Sequence, residues 1–341
     1  MVNVPLHLPL GKISTDLLKT IVFKNLGVKR SEVALSPGIG LDGAVIDLGD
    51  KSIIVSMDPI TGAVEHIGWL AVHINANDIA TFGVQPAYFA SCLLLPEKAE
   101  RQTLEVICSQ MDEAAKGLGI SIIGGHSEVT PGLTHPIVIG CAVGFTERGN
   151  YVTAGGAKPG DKLLLTKSAG VEGTAILATE RYDALCKGGV SRKLLDSART
   201  FFEKISVVKE GVLAFKIGGV SAMHDPTEGG VLGGIHEMAD ASNVGVRIYE
   251  DKILIAEETL EICRFFNIDP LQLISSGALL IAVKENFVNR VVDVLERNAI
   301  QVSVIGEFLG QPENRVLVRS NHAEVQLPRP VSDHLWMALA R

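Results

Sequence analysis

The chain has 341 residues, of which 47% are hydrophobic and 21% are charged, and its formal net charge at pH 7 is −8. This composition is typical of a folded globular protein, and the length predicts two domains. The acidic balance, without any long Lys/Arg run, argues against nucleic acid as a partner. Because no apolar stretch reaches transmembrane length and the N-terminus lacks a signal-peptide pattern, we expect a cytoplasmic protein without membrane contact.

The cysteines indicate no redox or zinc function. There are five of them, and none is in a CxxC spacing. We therefore expect reduced and buried thiols. They are Cys92, Cys108, Cys141, Cys186 and Cys263.

The first half of the chain mixes short β-branched segments with longer amphipathic ones. Strands are predicted at 31–37, 44–49, 52–57, 88–96, 120–125 and 135–145, and helices at 66–83 and 101–119. Several strands follow one another directly, which favours a mixed α+β sheet over a regular βαβ array.

A change in composition marks the middle of the chain. Gly, Pro and Lys accumulate near residue 150 and a new strand begins at Lys162, so we expect domains at 1–155 and 156–320 and a tail at 321–341. Further strands are predicted at 162–167, 219–223, 244–250 and 277–285, and helices up to about 183, at 190–217, from Asp225 and at 258–266. In the tail, Trp336 and Leu339 are expected to dock on a surface.

Acidic residues recur beside glycines or at the ends of apolar segments. Asp42 lies in a glycine loop, Asp58 follows an apolar strand, and Asp225 precedes paired glycines. Asp78 shares one helical face with Asn75, and a buried carboxylate is costly unless it is paired or binds a cation. A turn, a helix cap or a structural hydrogen bond would also explain each acid taken alone.

Two glycine patterns have competing interpretations. The loop with Gly124, Gly125, His126 and Glu128 either wraps a phosphate with its amides or forms a plain hairpin. The glycines after Asp225 lower helix propensity by about 1 kcal/mol each, which a capped helix does not require. Close approach of a ligand or of another strand does require such glycines.

A G-x-G-x-x-G spacing at Gly38, Gly40 and Gly43 is followed by a strand and not by a helix, so we reject a nicotinamide-binding fingerprint and with it a dehydrogenase. No Walker-type loop, zinc pattern or GxSxG elbow occurs in the sequence. The repeated carboxylates suit Mg²⁺, which proteins usually hold together with substrate phosphates.

Taken in order, the motifs resemble the superfamily of AIR synthase, selenophosphate synthetase, thiamine-monophosphate kinase and the hydrogenase maturation factor HypE. The segments that carry the resemblance are "GIGLDGAVI", "VSMDPI", "NANDIATFGVQP", "GGHSE", "KPGDKLLLT" and "HDPTEGGVLGGIHEMA". The likeness to HypE is the greatest, and it also rests on "NIDPLQLISSGALLIAV" and the early "LPLGKIS".

The resemblance implies a two-domain α/β (α+β) fold of the AIR synthase type, and a homodimer whose N-terminal sheets form a β-barrel. It also implies an ATP site with Mg²⁺ on acids that match Asp42, Asp58, Asp78 and Asp225, with Asp225 and His126 as catalytic candidates. Lys12, Gly124, Gly125 and Glu128 match positions near the nucleotide.

This sequence departs from HypE at its end. HypE carries the carbamoyl group on a C-terminal cysteine, whereas this sequence ends in "LWMALAR" and its last cysteine is Cys263. We therefore expect an ATP-dependent enzyme that activates an oxygen of a small molecule, and no carbamoyl dehydration on its own tail. The alternative is a non-catalytic, nucleotide-binding dimeric partner in a maturation complex.

Overall fold

The computed structural model describes residue 8, residues 11–61 and residues 64–340. The helices are α1 (Thr15–Thr20), α2 (Ile67–Thr81), α3 (Arg101–Leu118), α4 (Val171–Glu180), α5 (Tyr182–Lys187), α6 (Arg192–Arg199), α7 (Val208–Ile217), α8 (Gly230–Ala241), α9 (Glu257–Phe266), α10 (Val288–Arg297) and α11 (His334–Leu339). The strands are β1 (Val33–Leu35), β2 (Ala44–Leu48), β3 (Lys51–Ile60), β4 (Pro86–Leu95), β5 (Ser121–Val129), β6 (Ile137–Glu147), β7 (Lys162–Thr166), β8 (Val220–His224), β9 (Gly245–Tyr249), β10 (Leu280–Val283), β11 (Val302–Leu309), β12 (Arg315–Val318) and β13 (Glu324–Gln326).

The first sheet has the strand order β1-β2-β3-β6-β4-β5, and only the β4–β5 pair is parallel. Helices α2 and α3 cover one face, where Ile54, Phe89 and Val138 join their core. Nearly every residue of α2 is buried. The opposite face carries apolar side chains that remain partly or largely exposed, among them Met57 and Phe145.

The second sheet has the order β13-β12-β9-β11-β7-β10-β8, and its strands β7, β8 and β10 are covered on both faces. The alternation along β7 shows this: Leu163 and Leu165 pack with α8, whereas Leu164 packs with α7 and α10. A strand that is buried on both sides reads as a continuous apolar run, which is the pattern of "KLLLT". Because α2 also contacts α7, the two sheets share packed helices.

Most predicted elements are confirmed within a few residues, including α2, α3, β4, β7 and the mixed strand pattern. The predicted docking of the tail is confirmed too, since Leu339 packs on the core. The change of sheet falls between β6 and β7, and β13 of the second sheet lies within the predicted tail. The domain limits stay a prediction.

Four expectations are wrong. Asp58 lies inside β3 and not after its end, and the region 190–217 holds two helices separated by a 3-10 turn. The segment around His126 is a strand, β5, and not a loop. Cys108 is exposed, and Cys263 alone among the five cysteines is fully buried, although all are free thiols as expected.

No helix among the described residues has both the length and the apolar character required to span a bilayer.

Candidate active site: an acidic cleft lined by both halves of the chain

A cleft of about 980 Å³ is lined by residues from both halves of the chain. The first half contributes Asp42, Asp58 and Asp78, and the second contributes His224 and Glu237. The residues of the N-terminal segment around Lys12 and the helix α11 also border it. These polar groups come from different elements: Asp42 from the turn before β2, Asp58 from β3, Asp78 from α2, His224 from the end of β8 and Glu237 from α8.

Asp42 reaches the cleft through the turn before β2. Gly40 in this turn has a φ of +69°, and a Cβ at this position would lie 2.9 Å from the backbone oxygen of Glu237 in α8. A glycine is therefore required for the turn to lie against α8. The close approach brings a carboxylate oxygen of Asp42 to 2.7 Å from Nδ1 of His224.

His224, the last residue of β8, lies between two carboxylates. Its Nε2 is 2.8 Å from an oxygen of Glu237, opposite the contact of Nδ1 with Asp42, and its side chain is 3% exposed. Burial by itself lowers the pKa of His224, but the charges and hydrogen bonds of Asp42 and Glu237 outweigh it and raise the pKa well above its ordinary value. The ring is therefore an imidazolium at neutral pH and compensates part of the acidic charge.

Lys12 holds the N-terminal segment at the edge of the cleft. Its Nζ lies 2.9 Å from Glu237, and its backbone N–H donates a hydrogen bond of 2.8 Å to Glu228. Burial raises the pKa of Glu237, but His224 and Lys12 reverse this effect and bring it to about 2. Because the Lys12 side chain is half-exposed, the ion pair adds little stability.

Asp225 follows β8 and is 0% exposed. Neither of its carboxylate oxygens has a hydrogen-bond partner among the described residues, and the same holds for Oδ2 of Asp42. Ligand atoms of Asp42, His224 and Asp225 all lie within 4.8 Å of one another. Burial and then the charge of Asp42 raise the pKa of Asp225 to about 8.

Asp58 and Asp78 add two further acids. Asp78 accepts a hydrogen bond of 2.5 Å from Ser56, and Asn75 bonds the backbone N–H (2.8 Å) and carbonyl (3.2 Å) of Asp58. Burial raises the pKa of Asp58 to about 6 and that of Asp78 well above its ordinary value, and neighbouring carboxylates add to both shifts. Asp78 thus makes a structural hydrogen bond, the alternative that the sequence left open, although its partner lies in a strand and not in a loop.

The donor set fits a hard divalent cation. Mg²⁺ prefers carboxylate oxygens, and Asp42 and Asp225 offer oxygens that are buried and unpartnered. Burial, with neighbouring carboxylates adding to it, raises the pKa values of Asp58, Asp78 and Asp225, so their ionised forms carry a cost in the folded protein. A bound cation would offset this cost, whereas His224 as an imidazolium would orient Asp42 and would not coordinate.

The paired glycines after Asp225 open α8 themselves, because Gly229 is its N-cap and Gly230 is its first residue. The residue Gly230 has a φ of +62°, and a Cβ there would lie 2.6 Å from the backbone oxygen of Leu273, so the chain's own 271–273 loop requires a glycine at this position. Asp225 lies before the helix and its carboxylate makes no cap hydrogen bond. The cap that the sequence left open as an alternative is therefore not formed, and the side chain of Asp225 remains free for the cleft.

His126 and Glu128 are not among the residues that line this cleft. Both lie on β5, are exposed, and contact each other at 3.1 Å. Gly124 and Gly125 pair with Ala90 and Ser91 of β4 and form no phosphate-binding loop. Any catalytic or nucleotide-binding role of these four residues stays a prediction.

Sequence reasoning missed three members of the cleft. His224 stands directly before Asp225, and this adjacency was the signal that could have identified it. Glu237 lies in α8 one turn after Gly233, and nothing local distinguishes it from a solvated acid. Glu172 is a lone acid in an apolar helix start, "GVEGTAIL", and lines the cleft as well.

Two family models match the chain. The N-terminal domain of AIR synthase related proteins matches residues 40–146, and the C-terminal domain of the same proteins matches residues 158–319. The two mixed sheets and the carboxylate-lined cleft therefore belong to the fold of an AIR synthase related protein. This chain belongs to that family, and within it to the group of HypE and other hydrogenase expression/formation proteins.

Two curated relatives define that group. A protein of Methanocaldococcus jannaschii, provisionally named as a hydrogenase expression/formation protein, is 31% identical over 304 residues, 85% of each chain. The carbamoyl dehydratase HypE of Escherichia coli is 28% identical over 74% of this chain and 73% of its own length.

Two solved structures share the fold. The HypE chain of a HypE–HypF complex superposes with a TM-score of 0.75 at 21% identity, covering 92% of this chain and 99% of that one. HypE in complex with ATP superposes with a TM-score of 0.72 at 22% identity, covering 96% and 97%. At these identities the superpositions establish the α/β two-domain architecture.

Proposed function

We propose that this chain is an ATP- and Mg²⁺-dependent enzyme that uses the γ-phosphoryl group to activate an oxygen of a small-molecule acceptor. The observation that carries the proposal is the set of buried carboxylate oxygens without hydrogen-bond partners, Oδ2 of Asp42 and both oxygens of Asp225, beside His224 in the cleft. Such acids are costly to bury without a cation, and Mg²⁺ in proteins is commonly shared with nucleotide phosphates. The ATP complex of a HypE structure with the same fold supports ATP as the nucleotide.

In this proposal Asp42, Asp58, Asp78 and Asp225 hold Mg²⁺, which would neutralise the phosphate charge that develops during transfer. His224 fixes the orientation of Asp42 through Nδ1, and Glu237 holds the ring from its other side. Lys12 lies within reach of the same cleft and would bind a phosphate oxygen after releasing Glu237.

The acceptor is a separate molecule in this proposal. Among the described residues that line the cleft there is no cysteine. Cys263 is buried in the second half, and burial raises the pKa of its thiol to about 12. The names of the relatives as carbamoyl dehydratases favour a carbamoyl oxygen as the group that is activated.

ATP binding and product analysis test this function. Wild-type protein should bind ATP only with Mg²⁺ and form ADP with a suitable acceptor, and Asp225→Asn should weaken Mg²⁺-dependent binding at least about 10-fold, since it removes one ligand charge. AMP as the product would instead indicate selenophosphate-type chemistry. If wild-type protein binds no ATP, the proposal is wrong.

A second candidate is a nucleotide-binding partner in a maturation complex, without turnover. It is favoured by the relative that was solved as a HypE–HypF complex. Tight Mg²⁺–ATP binding with no product from any carbamoyl compound would support this candidate over the enzyme.

We also propose a homodimer in which the first sheets of two copies pack into a barrel. The open face of the sheet carries Tyr88, whose ring stacks on that of Phe145. The apolar side chain of Ile139 lies on the same face and is half-buried. An uncovered apolar sheet face of this kind is typical of a protein interface. The exposed edge strand β5 would place His126 and Glu128 at or near that interface.

A further inference from the structure

The ammonium group of Lys167 lies in a cage of oxygen atoms outside the cleft. Its Nζ donates hydrogen bonds to three carbonyl oxygens, those of Lys204 (3.0 Å), Ser206 (2.6 Å) and Gly277 (2.8 Å). It also lies 2.5 Å from a carboxylate oxygen of Glu210, whose side chain is 3% exposed. Lys167 and Glu210 are not among the described residues that line the cleft. An ammonium has three N–H donors, so the cage offers a partner to every one of them.

The backbone at Lys167 has a conformation that is uncommon for a lysine. Its φ is +55°, in the left-handed region that favours glycine, and its N–H donates a hydrogen bond of 2.7 Å to the carbonyl of Gln301. A residue stays in this region only where surrounding contacts hold it there. The contacts of the ammonium with its cage are of that kind.

The first backbone segment of the cage, residues 204–207, is also bound by α2 of the first half of the chain. The side chain of Asn77 is fully buried and donates a hydrogen bond of 2.9 Å to the carbonyl of Ile205. It accepts one of 2.8 Å from the N–H of Val207. Asn77 directly precedes Asp78, an acid of the proposed cation site. The ammonium and α2 therefore bind the same four residues.

The second backbone segment of the cage, the turn at Gly277, leads to Asp225. Gly277 has a φ of +101°, and a Cβ there would lie 2.8 Å from a backbone oxygen of the first segment. Two residues earlier, the N–H of Ser275 donates a hydrogen bond of 3.1 Å to the carbonyl of Pro226, which directly follows Asp225. The ammonium is thus connected by short backbone links to an acid of each half.

We propose that Lys167 is a positioning residue, and that its ammonium sets the distance between Asp78 and Asp225 by holding both backbone segments. The two acids come from different elements, α2 and the turn after β8, so no single element fixes their separation. This inference rests on the proposed function, which it deepens by naming a residue outside the cleft on which Mg²⁺ affinity depends. Residues that orient metal ligands without touching the metal commonly contribute about 10- to 100-fold to metal affinity.

Mg²⁺ binding by two neutralised variants tests the proposal. Lys167→Met alone would leave Glu210 as a buried carboxylate without a partner, so it is combined with Glu210→Gln, and Glu210→Gln alone is the comparison. The two variants then differ only in the ammonium. Mg²⁺ is titrated calorimetrically into the intact protein with the β,γ-methylene analogue of ATP present.

The variant Glu210→Gln retains the three carbonyl contacts of the ammonium, so its Mg²⁺ affinity should stay within about 3-fold of wild-type protein. The double variant should bind Mg²⁺ at least about 10-fold more weakly. Equal Mg²⁺ affinity of the two variants would overturn the proposal, because loss of the ammonium would then affect stability only.

The substitution Lys162→Met is the matched control. Lys162 lies in β7, and its ammonium is 2.8 Å from Glu307 and does not border the cleft. Its loss should leave Mg²⁺ affinity within about 3-fold of wild-type protein. A loss as large as that of the double variant would contradict a specific role of Lys167.

The emission of Trp69 reports on the first segment without any ligand. Its Nε1 donates a hydrogen bond of 2.9 Å to the carbonyl of Phe202, two residues before that segment. In a Trp336→Phe background, the double variant should show a red-shifted emission relative to Glu210→Gln, because the segment is released from one of its two anchors. An unchanged emission would show that the segment is held without the ammonium, and the proposal would be wrong.

The two measurements distinguish the possible failures. If wild-type protein binds neither Mg²⁺ nor the ATP analogue, the proposed function fails, and with it the positioning role that rests on it. If wild-type protein binds both and the double variant binds Mg²⁺ as tightly as Glu210→Gln does, the positioning role alone is refuted.

Discussion

At the scale of single residues, the cleft contains carboxylates whose burial costs free energy unless they are paired or bind a cation. Asp225 is fully buried without a hydrogen-bond partner for its carboxylate, and Asp78 is almost as buried with one hydroxyl bound to it. One pKa unit corresponds to about 1.4 kcal/mol of difference between the two protonation states, so such shifts are a direct cost to the folded protein. The proposed cation-binding role rests on this cost, which no described side chain fully offsets.

The substitution Asp225→Asn should stabilise the cation-free protein at high pH. The pKa of Asp225 is about 8 in the folded protein, well above its ordinary value of 3.8. The unfolded chain therefore loses the proton first, and the folded state loses stability as pH rises from about 4 to 8. Urea unfolding in EDTA should give a variant that is more stable than wild-type protein at pH 9 by roughly 2 kcal/mol, with a much smaller gain at pH 4.

Adding Mg²⁺ at pH 9 should reverse this order, since the cation stabilises the ionised Asp225 of wild-type protein by binding to it. If the variant gains no stability between pH 4 and pH 9, then Asp225 is not a buried excess charge and the cation site loses its main support.

Replacing His224 by glutamine should destabilise the fold. The change removes the imidazolium of His224 from between the carboxylates of Asp42 and Glu237. Removal of one partner from a buried ion pair costs roughly 3 kcal/mol. Denaturant unfolding at pH 7 measures this loss. His322→Gln, on the surface, is the control and should change the free energy of unfolding by less than about 0.5 kcal/mol. Equal effects of the two substitutions would contradict the imidazolium bridge.

The acidic site residues could be identified from the sequence because each stands beside a glycine, a strand or an apolar helix face. Asp42, Asp58 and Asp78 line one cleft as a result of long-range packing that the sequence pattern does not specify. His224 and Glu172 line the cleft because segments far apart in the chain pack together. The sequence around them indicates only a strand end and a helix start.

At the scale of elements, the short helix α11 is capped by the side chain of Asp333 and packs on the core through Leu335 and Ala338. Asp333 caps this helix by accepting the N–H of Leu335 at 2.7 Å, and its other oxygen accepts the N–H of Gly229 at 2.7 Å. The residue is 2% exposed, and burial raises its pKa to about 6. Asp333 thereby connects α11, with Trp336 at the cleft, to the glycine turn after Asp225.

The substitution Asp333→Ala should release α11 from the cleft. It removes a helix cap and leaves the buried N–H of Gly229 unpaired, a cost of roughly 2 kcal/mol. In a Trp69→Phe background, the emission of Trp336 should shift to the red as the indole becomes hydrated. Ser191→Ala, which removes the cap of α6, should lower stability without changing this emission. An unchanged emission in Asp333→Ala would contradict the anchoring role.

Elements with a strong period were predictable, and elements set by tertiary contacts were not. The apolar run of α2 and the amphipathic pattern of α3 define helices on their own. The glycines of β5 indicate a turn in isolation, but pairing with β4 keeps the segment extended through Glu128. The requirement for glycine at Gly230, the first residue of α8, comes from the 271–273 loop about forty residues away.

At the scale of the whole molecule, the first sheet has one covered face and one open face. Its inner residues pack on α2 and α3, whereas residues such as Ile139 on the outer face remain half-buried. The strands β7, β8 and β10 of the second sheet have no such open face, since α8 covers one side and α7 and α10 cover the other. Any self-association is therefore expected at the first sheet.

The substitution Ile139→Asp should convert the proposed homodimer into a monomer, because a charge at the centre of an apolar interface would be desolvated without a partner. Light scattering coupled to size-exclusion chromatography measures the mass, and circular dichroism confirms that the fold is retained. Val331→Asp, at a fully exposed position outside the sheets, should leave the dimer intact. A monomeric wild-type protein at micromolar concentration would contradict the proposed barrel.

Ser275 connects the turn after Asp225 to the start of α4, two sides of the cleft. Its N–H donates to the carbonyl of Pro226, which directly follows Asp225, and its hydroxyl accepts the N–H of Gly170 before α4. These two hydrogen bonds fix the distance between Asp225 and the start of α4 within the second half of the chain. A change in the width of the cleft when a ligand enters is therefore expected from the N-terminal segment, α11 or the first sheet.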